Sequence, residues 1–412
     1  MKAVCKFSPE LRGTVKISGS KNASLPILIA TLLTDDVCFI ENVPRLDDVF
    51  AIIELLKKLG KKVLFQKNKV SIKGKIKNTQ LDEKLVRKLR ASVLVMGPVL
   101  ARKGYGSFAM PGGCALGERP IDIHLSGFEK MGARYRISKG RVIFTKTKLK
   151  PVRIKLKFPS VGATENLIMT ASLIPGITVI ENSAIEPEVI DLANFLKKMG
   201  VKININGKTF TVKGSKKLKG AKYRVIPDRI EAGTFLLATA SVSGHVQLKN
   251  VLYRHLESVI LKLKNSGVKI KTSKDKIHIK RTGKVKPVDI ETAPYPGFPT
   301  DLQPMWAVYM LQAKGVSKIK ENVFPSRFMY VDELKRLGAD LSLKGNTLFV
   351  KKSTLSGTHL LACDLRAAAS MIIAGLISKG TTEVSNLHHL SRGYENFFEK
   401  LQKLGANVSI KK

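Results

Sequence analysis

A pattern of about 70 residues repeats six times along this chain of 412 residues. Each repeat contains an amphipathic helical segment with apolar residues at positions i, i+3, i+4 and i+7, for example Ile52, Leu55, Leu56 and Leu59. A glycine follows each segment and predicts a helix C-terminus, because glycine readily adopts the left-handed conformation that ends a helix. The repeat glycines are Gly60, Gly132, Gly200, Gly267, Gly338 and Gly405.

Alternating apolar and polar residues after each repeat glycine predict strands, which often pair as hairpins. The segment 201–212, for example, turns at Asn206-Gly207. A short strand such as 39–42 precedes each amphipathic helix, and a more apolar helix lies upstream of that strand. Each repeat is therefore predicted to run helix, strand, helix, strand, strand. One repeat cannot bury both of its helices, so we predict two domains with three repeats in each.

Polar or charged residues begin the apolar helices of all six repeats. Amide groups at a helix N-terminus lack partners and the helix dipole favours anions there, so six such starts together would bind a ligand with several phosphates. Serine, threonine and aspartate at these positions are equally typical of simple N-caps. The six starts are Ser20-Lys21-Asn22, Arg90-Ala91-Ser92, Ser160-Val161-Gly162, Asp228-Arg229, Thr300-Asp301 and Asp364-Leu365-Arg366.

The chain is strongly basic, with 72 lysines and arginines against 32 acidic residues and a formal net charge of +40. The lysines are spread along the whole sequence, aromatic residues make up only 6%, and no nucleic-acid-binding signature is present. A solvated lysine-rich surface, a lysine-favouring genome and a nucleic-acid partner are three interpretations of this charge. We expect no nucleic-acid binding beyond nonspecific attraction.

Several classes of protein are excluded by what the sequence lacks. No apolar stretch reaches the roughly 20 residues that a bilayer-spanning helix needs, and residues 1–10 lack the apolar core of a secretory signal. The cysteines Cys5, Cys38, Cys114 and Cys363 form no CxxC pair, so they predict neither a disulfide framework nor a zinc site. We expect a cytoplasmic protein with no membrane partner, no metal and no dinucleotide cofactor.

Eight short motifs occur in an order and spacing that resemble the enolpyruvyl transferases, over nearly the whole chain. The resemblance is to the branch that acts on UDP-N-acetylglucosamine, because the branch that acts on shikimate 3-phosphate lacks the cysteine-bearing loop. The motifs are residues 19–23, 90–92, 111–120, 159–166, 226–234, 296–301, 364–366 and 392–394.

This resemblance implies a fold of two inside-out α/β barrels, each built from three repeats with helices inside and sheets outside. Residues 21–228 would form one enolpyruvyl transferase domain, which carries the cysteine loop. Residues 1–20 together with 229–412 would form the other domain. The active site would lie in the cleft between the two domains.

The resemblance also implies a reaction. The enolpyruvyl group of phosphoenolpyruvate would move to the 3′-hydroxyl of UDP-N-acetylglucosamine, with release of phosphate, as the first committed step of peptidoglycan precursor synthesis. Addition would give a tetrahedral ketal, and elimination would follow. The chemistry needs an acid, a base and a cationic site, and no cofactor. The partners expected are these two small-molecule substrates, and the sequence does not define an oligomeric state.

Four catalytic residues follow from the resemblance. Cys114 would be the acid that protonates the methylene carbon, or would assist product release, and a cysteine at this position predicts inactivation by the epoxide antibiotic fosfomycin. Asp301 would be the base for the sugar hydroxyl, with a simple N-cap as the alternative. Lys21 and Arg392, together with Arg119, would hold phosphoenolpyruvate, because their cations suit its carboxylate and phosphate.

The other matched positions would bind the sugar nucleotide or line the cleft. Phe158 stands where many relatives have lysine, which puts one uridine-side contact in question. His124 lies beside a matched stretch and fits a structural role as well as a binding role. The predicted substrate-binding residues are Lys21, Asn22, Arg90, Arg119, Pro120, Ile121, Asp122, Ile123, Ser160, Val161, Gly162, Arg229, Asp301, Val323, Asp364, Arg366 and Arg392.

Two other functions are kept as alternatives. A transferase that acts on shikimate 3-phosphate would not need Cys114 and would ignore UDP-sugars. A basic binding protein that kept the fold without catalysis would have no use for the catalytic residues. Every catalytic position carries the expected residue, which argues against this second alternative.

Overall fold

The computed structural model describes residues 2–81, 83–110, 121–145 and 147–411. The chain divides into two compact units. Residues 1–18 and 227–412 form the split unit, and residues 19–226 form the continuous unit. The predicted acid Cys114, and the predicted binding residues Arg119 and Pro120, lie outside the described residues.

Helices and short strands alternate through both units. The α-helices are α1 (Lys21–Ala30), α2 (Asp47–Lys58), α3 (Glu83–Lys88), α4 (Met96–Lys103), α5 (Asp122–Lys130), α6 (Val161–Ala171), α7 (Pro187–Lys198), α8 (Arg229–Val242), α9 (Glu257–Asn265), α10 (Gln303–Met310), α11 (Val331–Arg336), α12 (Leu365–Leu376) and α13 (Phe397–Lys403). Short 3-10 helices occupy Thr31–Leu33, Arg90–Val95, Tyr253–Leu256, Thr300–Leu302, Pro325–Tyr330 and Leu387–Arg392.

The strands are short, and most lie in four-stranded sheets. They are β1 (Lys2–Lys6), β2 (Leu11–Lys16), β3 (Cys38–Glu41), β4 (Lys62–Gln66), β5 (Lys69–Lys73), β6 (Gly106–Ala109), β7 (Tyr135–Ser138), β8 (Arg141–Phe144), β9 (Arg153–Lys155), β10 (Gly176–Glu181), β11 (Lys202–Asn206), β12 (Thr209–Gly214), β13 (Lys222–Arg224), β14 (Gly244–Lys249), β15 (Lys269–Ser273), β16 (Lys276–Arg281), β17 (Ile290–Glu291), β18 (Val316–Lys320), β19 (Leu341–Lys344), β20 (Thr347–Lys351), β21 (His359–Leu361), β22 (Thr381–Ser385) and β23 (Val408–Lys411).

The continuous unit packs three sheets around a core that contains two fully buried helices. Its sheets have the strand orders β13-β3-β5-β4, β6-β8-β7 and β11-β12-β10-β9. α1 is buried from Ala23 to Ala30, and α6 is buried from Ala163 to Ala171. α2 and α7 bury one face and end in exposed lysines, as amphipathic helices do.

The split unit repeats this plan with three buried helices. Its sheets have the orders β21-β22-β1-β23, β15-β16-β14-β2 and β17-β18-β20-β19. Nearly every residue of α8, α10 and α12 is buried, and these three helices pack against one another. Each of the six sheets among the described residues has two edge strands, so none closes on itself.

The mixed α/β fold predicted from the repeats is confirmed, and so are the predicted helix ends. The six repeat glycines all have positive φ, between 88° and 106°. The hairpin turn at Asn206-Gly207 joins β11 to β12, and Gly207 has φ of 55°. Local sequence therefore determines where these helices end and where this hairpin turns.

Four very short strands, β9, β13, β17 and β21, are absent from the sequence-based prediction. Each has two or three residues and pairs in parallel with the first strand of a repeat. Three of these short strands are hydrogen-bonded by an asparagine at the end of the partner strand, and each asparagine has a left-handed backbone conformation. The Asn42 amide donates to Val225 O at 2.9 Å, for example, and the Asn386 amide donates to Ala362 O at 2.7 Å. Strands this short have no alternation to detect, so a sequence pattern cannot predict them.

No helix within the described ranges is long and apolar enough to cross a bilayer.

Candidate active site

The start of α1 places a lysine beside a buried carboxylate in the continuous unit. Ser20 caps the helix by accepting from the amide of Ala23 at 3.3 Å. The Lys21 Nζ lies 3.3 Å from Asp48 Oδ2, and the Asp48 side chain is only 6% exposed. Asn22 is half-buried at the second helical position. A cation and helix-start amides therefore stand together, which suits an anionic ligand.

Only glycine fits directly before Ser20, the N-cap of this helix. A Cβ on Gly19 would lie 1.6 Å from the carbonyl oxygen of Asn42, far inside van der Waals contact. The same asparagine holds the short strand β13 through Val225. The position of Lys21 is therefore determined by a contact between two distant parts of the continuous unit.

His124 forms a second cluster with Asn166, which the sequence analysis did not single out. The Asn166 Oδ1 accepts from the amide of Gly97 at 2.9 Å, so its Nδ2 is the donor to His124 Nδ1, at 3.0 Å. The imidazole then carries its proton on Nε2. Burial, and secondarily the charge of Arg90, lowers the pKa of His124 to about 3. His124 is thus a neutral group with an Nε2–H donor at physiological pH.

The donor nitrogen of His124 lies beside the first turn of α6. A Cβ on Gly162 would come 3.4 Å from His124 Nε2 and 3.2 Å from Cε1, so the helix and the ring approach closely. Ser160 caps this helix through the amide of Ala163, at 3.4 Å, and Val161 is exposed. The cluster therefore combines an imidazole N–H with helix-start amides, and Phe158 is exposed just before it.

The other predicted positions of the continuous unit lie on neighbouring elements. Arg90 begins the 3-10 helix Arg90–Val95, which packs against both α1 and α6. Ile121 is buried just before α5, Asp122 is exposed at its first position, and Ile123 is half-buried. The structure thus brings Arg90, His124 and the start of α6 together.

Asp301 lies between two buried arginines in the split unit. Its Oδ1 accepts from Arg327 at 3.0 Å and lies 3.4 Å from Arg366 Nε. The Asp301 side chain keeps 28% exposure, whereas the two arginine side chains keep 2% and 6%. The Asp301 carboxylate faces Arg327 and Arg366. Helix α10 begins two residues later, at Gln303. The two donors hold the carboxylate in place, and its accessible side can accept a hydrogen bond from a bound hydroxyl, which is the geometry that a general base needs.

Arg366 connects the starts of three helices. Its guanidinium lies over the ring of Tyr394, 5.2 Å from the centroid. Burial lowers the pKa of Arg366, but Tyr394 and the carboxylates of Asp301 and Asp228 outweigh this effect and raise it. Asp228 caps α8, and Asp364 caps α12 by accepting from the Arg366 amide at 2.6 Å. The N-termini of α8, α10 and α12 therefore meet around this arginine.

Glu321 organises the loop that carries Val323. It is fully buried, and its Oε1 accepts from the Val323 amide at 2.8 Å and from the Thr292 hydroxyl at 2.8 Å. Its Oε2 accepts from Thr300 at 2.9 Å, next to Asp301. One carboxylate thus fixes both a predicted substrate-binding loop and the turn that holds the predicted base.

Arg229 and Arg392 are the remaining predicted cations of the split unit. Arg229 begins α8, and its guanidinium lies 5.6 Å from the centroid of the Tyr295 ring. Arg392 ends a 3-10 helix and is half-buried. A Cβ on Gly393 would lie 2.4 Å from Leu365 Cδ2, so a larger residue directly after Arg392 would require the Leu365 side chain to move.

Sequence reasoning missed Arg327, Glu321, Asp48 and Asn166. Arg327 is the one charged residue in the segment 324–330, and Asn166 lies in the motif 159–166, but neither was assigned a role. Asp48 and Glu321 are ordinary polar residues in the sequence, and their roles depend on partners such as Lys21 and Thr292, more than 20 positions away.

The three described cysteines show no sign of reactivity. Cys5 and Cys38 are buried, and Cys363 is half-buried. Burial raises the pKa of Cys5 to about 12 and that of Cys363 to about 11. Their thiols are therefore protonated at neutral pH. Among the described side chains, no group of three His, Cys, Asp or Glu is placed to hold a metal ion.

Comparison with known proteins places the chain in a family. The family model for EPSP synthase (3-phosphoshikimate 1-carboxyvinyltransferase) matches residues 6–401. A UDP-N-acetylglucosamine 1-carboxyvinyltransferase 1 of Caldanaerobacter subterraneus is 49% identical over 99% of both chains. A UDP-N-acetylglucosamine 1-carboxyvinyltransferase of Thermotoga maritima is 46% identical over 99% of this chain and 98% of its own.

Solved structures support the same fold. The enolpyruvyl transferase NikO from Streptomyces tendae has a TM-score of 0.90 at 24% identity and covers 99% of this chain and 98% of its own. An EPSP synthase from Acinetobacter baumannii has a TM-score of 0.77 at 17% identity over the full length of both chains. The chain therefore belongs to the EPSP synthase family of enolpyruvyl transferases and, within it, to the UDP-N-acetylglucosamine 1-carboxyvinyltransferases.

Proposed function

We propose that the chain transfers the enolpyruvyl group of phosphoenolpyruvate to the 3′-hydroxyl of UDP-N-acetylglucosamine and releases phosphate. The observation that carries this proposal is the Asp301 carboxylate between Arg327 and Arg366, at the position the resemblance assigns to the base. Relatives at 46–49% identity bear the name of this activity, whereas the solved EPSP synthases are 17–18% identical. The shikimate alternative therefore has less support.

In the proposed addition step, Asp301 accepts the proton of the sugar 3′-hydroxyl, and the oxygen bonds to C2 of phosphoenolpyruvate. Cys114 donates a proton to the methylene carbon, which becomes a methyl group in the tetrahedral ketal. In the elimination step the methyl carbon returns a proton to the Cys114 thiolate, the double bond re-forms, and the C2–oxygen bond breaks so that phosphate leaves with its electron pair. Arg327 and Arg366 keep the base oriented through both steps.

We assign substrate binding to the cationic groups of both units. Lys21, Arg119 and Arg392 would hold the carboxylate and phosphate of phosphoenolpyruvate, since these groups carry several negative charges. Arg90 and the His124 Nε2–H, beside the amides at the start of α6, would hold the diphosphate of the sugar nucleotide. Because the neutral imidazole of His124 adds no charge, it would contribute to diphosphate binding through the direction of its hydrogen bond.

We also propose that the three repeats of each unit form an inside-out barrel, and that the two units correspond to the predicted domains 21–228 and 1–20 with 229–412. The near-complete burial of α8, α10 and α12 supports the barrel, because helices buried all round are surrounded by other elements. Lys21 belongs to the continuous unit and Asp301 to the split unit. We place the reaction in the cytoplasm.

Phosphate release from phosphoenolpyruvate tests the proposed function. We expect release only when UDP-N-acetylglucosamine is present, and we expect Cys114→Ala to abolish most of it, because the methylene carbon then lacks its acid. Fosfomycin should inactivate the native chain. The residual activity of the Cys114→Ala variant should be the same with and without fosfomycin. Release with shikimate 3-phosphate alone would support the sister activity instead. Release with neither acceptor would contradict catalysis.

Replacing Arg327 by alanine is expected to lower kcat by about 10²-fold, because a misplaced catalytic group loses roughly this factor. KM should change little, since Arg327 contacts Asp301. Arg327→Lys should recover part of kcat by restoring one donor. Arg336→Ala is the control, because the Arg336 side chain is about half exposed and pairs with Glu333 on the same helix α11, away from Asp301 in sequence. Equal loss of kcat in both alanine variants would contradict a positioning role.

A further inference from the structure

The sheet β15-β16-β14-β2 of the split unit exposes a face that is almost entirely basic. Its outward side chains form three rows, because the register pairs outward residues with outward residues across all four strands. We call this surface the basic face. Its lysines are Lys16, Lys249, Lys269, Lys271, Lys276 and Lys280.

The remaining outward positions of the basic face are polar or basic. Arg12, His245 and His278 add further nitrogen groups, and Gln247 and Thr14 complete the middle row. None of these outward side chains is acidic, and none is Phe, Tyr or Trp. Among the described residues, the six lysines make no ion pair. Arg12 pairs with Glu10 at 2.6 Å, and Asp275 lies in the β15–β16 turn at the edge.

The other five sheets differ from this one. Four of them carry a carboxylate on the exposed face, namely Glu41, Glu181, Glu291 and Glu383, and each of these pairs with a lysine or arginine. The fifth, β6-β8-β7, has no acid in its strands but no lysine either. A net charge of +40 would place lysines on every surface, but it does not by itself gather six of them on one sheet without an acid. The basic face is therefore a local arrangement.

This arrangement works against the stability of the sheet. Lys249 lies directly opposite both Lys276 and Lys16, and Lys269 lies opposite Lys280. Like charges at directly opposed positions of a sheet destabilise the pairing. A bound anionic partner would relieve this repulsion, whereas solvent alone only screens it.

The dimensions of the face suit a partner with a surface of negative charge. Strands about 4.8 Å apart and outward residues about 6.7 Å apart along a strand place the cations within roughly 14 Å by 14 Å. This extent is close to the Debye length of about 8–10 Å, so the cations act together. Lysine stems are flexible, so their ammonium groups can reach a common plane despite the twist of the sheet.

We propose that the basic face adsorbs the protein onto anionic membrane surfaces through lipid phosphate groups. Single-stranded nucleic acid is disfavoured because its bases stack on aromatic side chains, and the face carries no Phe, Tyr or Trp and only the small imidazole rings of His245 and His278. Sequence-specific duplex recognition relies on arginine forks, and the one arginine here is paired with Glu10. The sequence analysis predicted no membrane partner, because the chain lacks an apolar spanning segment and a secretory signal. Adsorption to a membrane surface needs neither of these and requires only clustered charge. This inference does not rest on the proposed enzymatic function.

Vesicle co-sedimentation of the full chain tests this proposal. The native chain should bind phosphatidylcholine vesicles that contain phosphatidylglycerol and should not bind vesicles of phosphatidylcholine alone, and added salt should release it. The triple variant Lys249→Gln, Lys271→Gln, Lys280→Gln should bind about 10²-fold more weakly, because each lysine near an anionic surface contributes roughly fivefold. The triple Lys→Arg variant at the same positions keeps the charge and should bind like the native chain.

The matched control removes three exposed lysines from the sheet β11-β12-β10-β9 of the other unit, through Lys155→Gln, Lys202→Gln and Lys213→Gln. It loses the same net charge, and we expect it to retain most of the vesicle binding. Equal losses in the two glutamine triples, or no binding by the native chain, would overturn the proposal. Tighter binding to duplex DNA than to vesicles, lost in the basic-face triple, would identify nucleic acid as the partner instead. Unchanged phosphate release, together with melting temperatures equal to or above that of the native chain, would show that the variants are folded.

Discussion

Replacing Asp301 by asparagine is expected to lower kcat for phosphate release by about 10²–10⁴-fold, the usual cost of removing a general base. Asparagine keeps the shape of the side chain and one oxygen acceptor for Arg327 and Arg366, but it cannot take the proton of the 3′-hydroxyl. The effect should therefore fall on kcat, with KM for phosphoenolpyruvate little changed. Steady-state kinetics with both substrates measures this.

Asp332→Asn is the control for the loss of one carboxylate in the same unit, because the Asp332 side chain is 93% exposed. We expect its kinetics to match those of the native chain. A melting curve for Asp301→Asn separates lost catalysis from lost structure, since the variant leaves two buried arginines without their anion. A folded Asp301→Asn variant with native kcat would contradict the role of Asp301 as the base.

Replacing Lys400 by methionine is expected to destabilise the split unit by about 3–5 kcal/mol, the usual cost of leaving one member of a buried ion pair uncompensated. The Lys400 ammonium donates to Glu231, whose side chain is only 3% exposed, and to the Ser18 hydroxyl at 2.7 Å. Glu231 also accepts from the Ser18 amide at 2.8 Å. The Glu231–Lys400 pair thus connects Ser18, at the end of the unit's N-terminal segment, to helices α8 and α13. Denaturant unfolding measures the loss.

Lys403→Met is the matched control, because Lys403 lies on the same helix α13 and is exposed. It should change the free energy of unfolding by well under about 1 kcal/mol. If Lys400→Met and Lys403→Met are equally stable, the Glu231–Lys400 pair does not hold the segment.

The pH dependence of Lys400→Met gives a second readout. Burial raises the pKa of Glu231, and Lys400 opposes this shift, so the pKa should rise further when the lysine is removed. The folded variant then takes up a proton that the unfolded chain does not hold near neutral pH. Its stability should increase as the pH falls through the folded-state pKa, and the difference from the native chain should shrink.

Features that depend on neighbouring residues were predicted well. The six repeat glycines end helices with positive φ, and the hairpin at Asn206-Gly207 is present. These signals are local, because a left-handed residue or a two-residue turn is determined by the side chains at that point. The strands β9, β13, β17 and β21 were missed, because a segment of two or three residues shows no periodicity. These strands form through contacts with an asparagine or a strand far along the chain.

The candidate site shows the same division. Asp301, Asp364 and Arg366 were identified through motifs, and the structure brings them together at the starts of α10 and α12. Arg327 and Glu321, which hold Asp301 and the Val323 loop, were not identified. Their importance comes from burial and from partners on other elements, and a charged residue in a sequence does not reveal whether folding will bury it.

The sequence by itself determined the repeat, the ends of its helices, the family and the net charge of +40, because each of these depends on residue identities and short spacings. Only the tertiary structure decided which polar groups meet. It placed Asp301 between two arginines, made His124 a neutral donor beside α6, and aligned lysines from four separate strands on one face. The physical reason is that burial and electrostatic interaction depend on distance in space, and the strands β2 and β14 are neighbours in a sheet although more than 200 residues separate them in the chain.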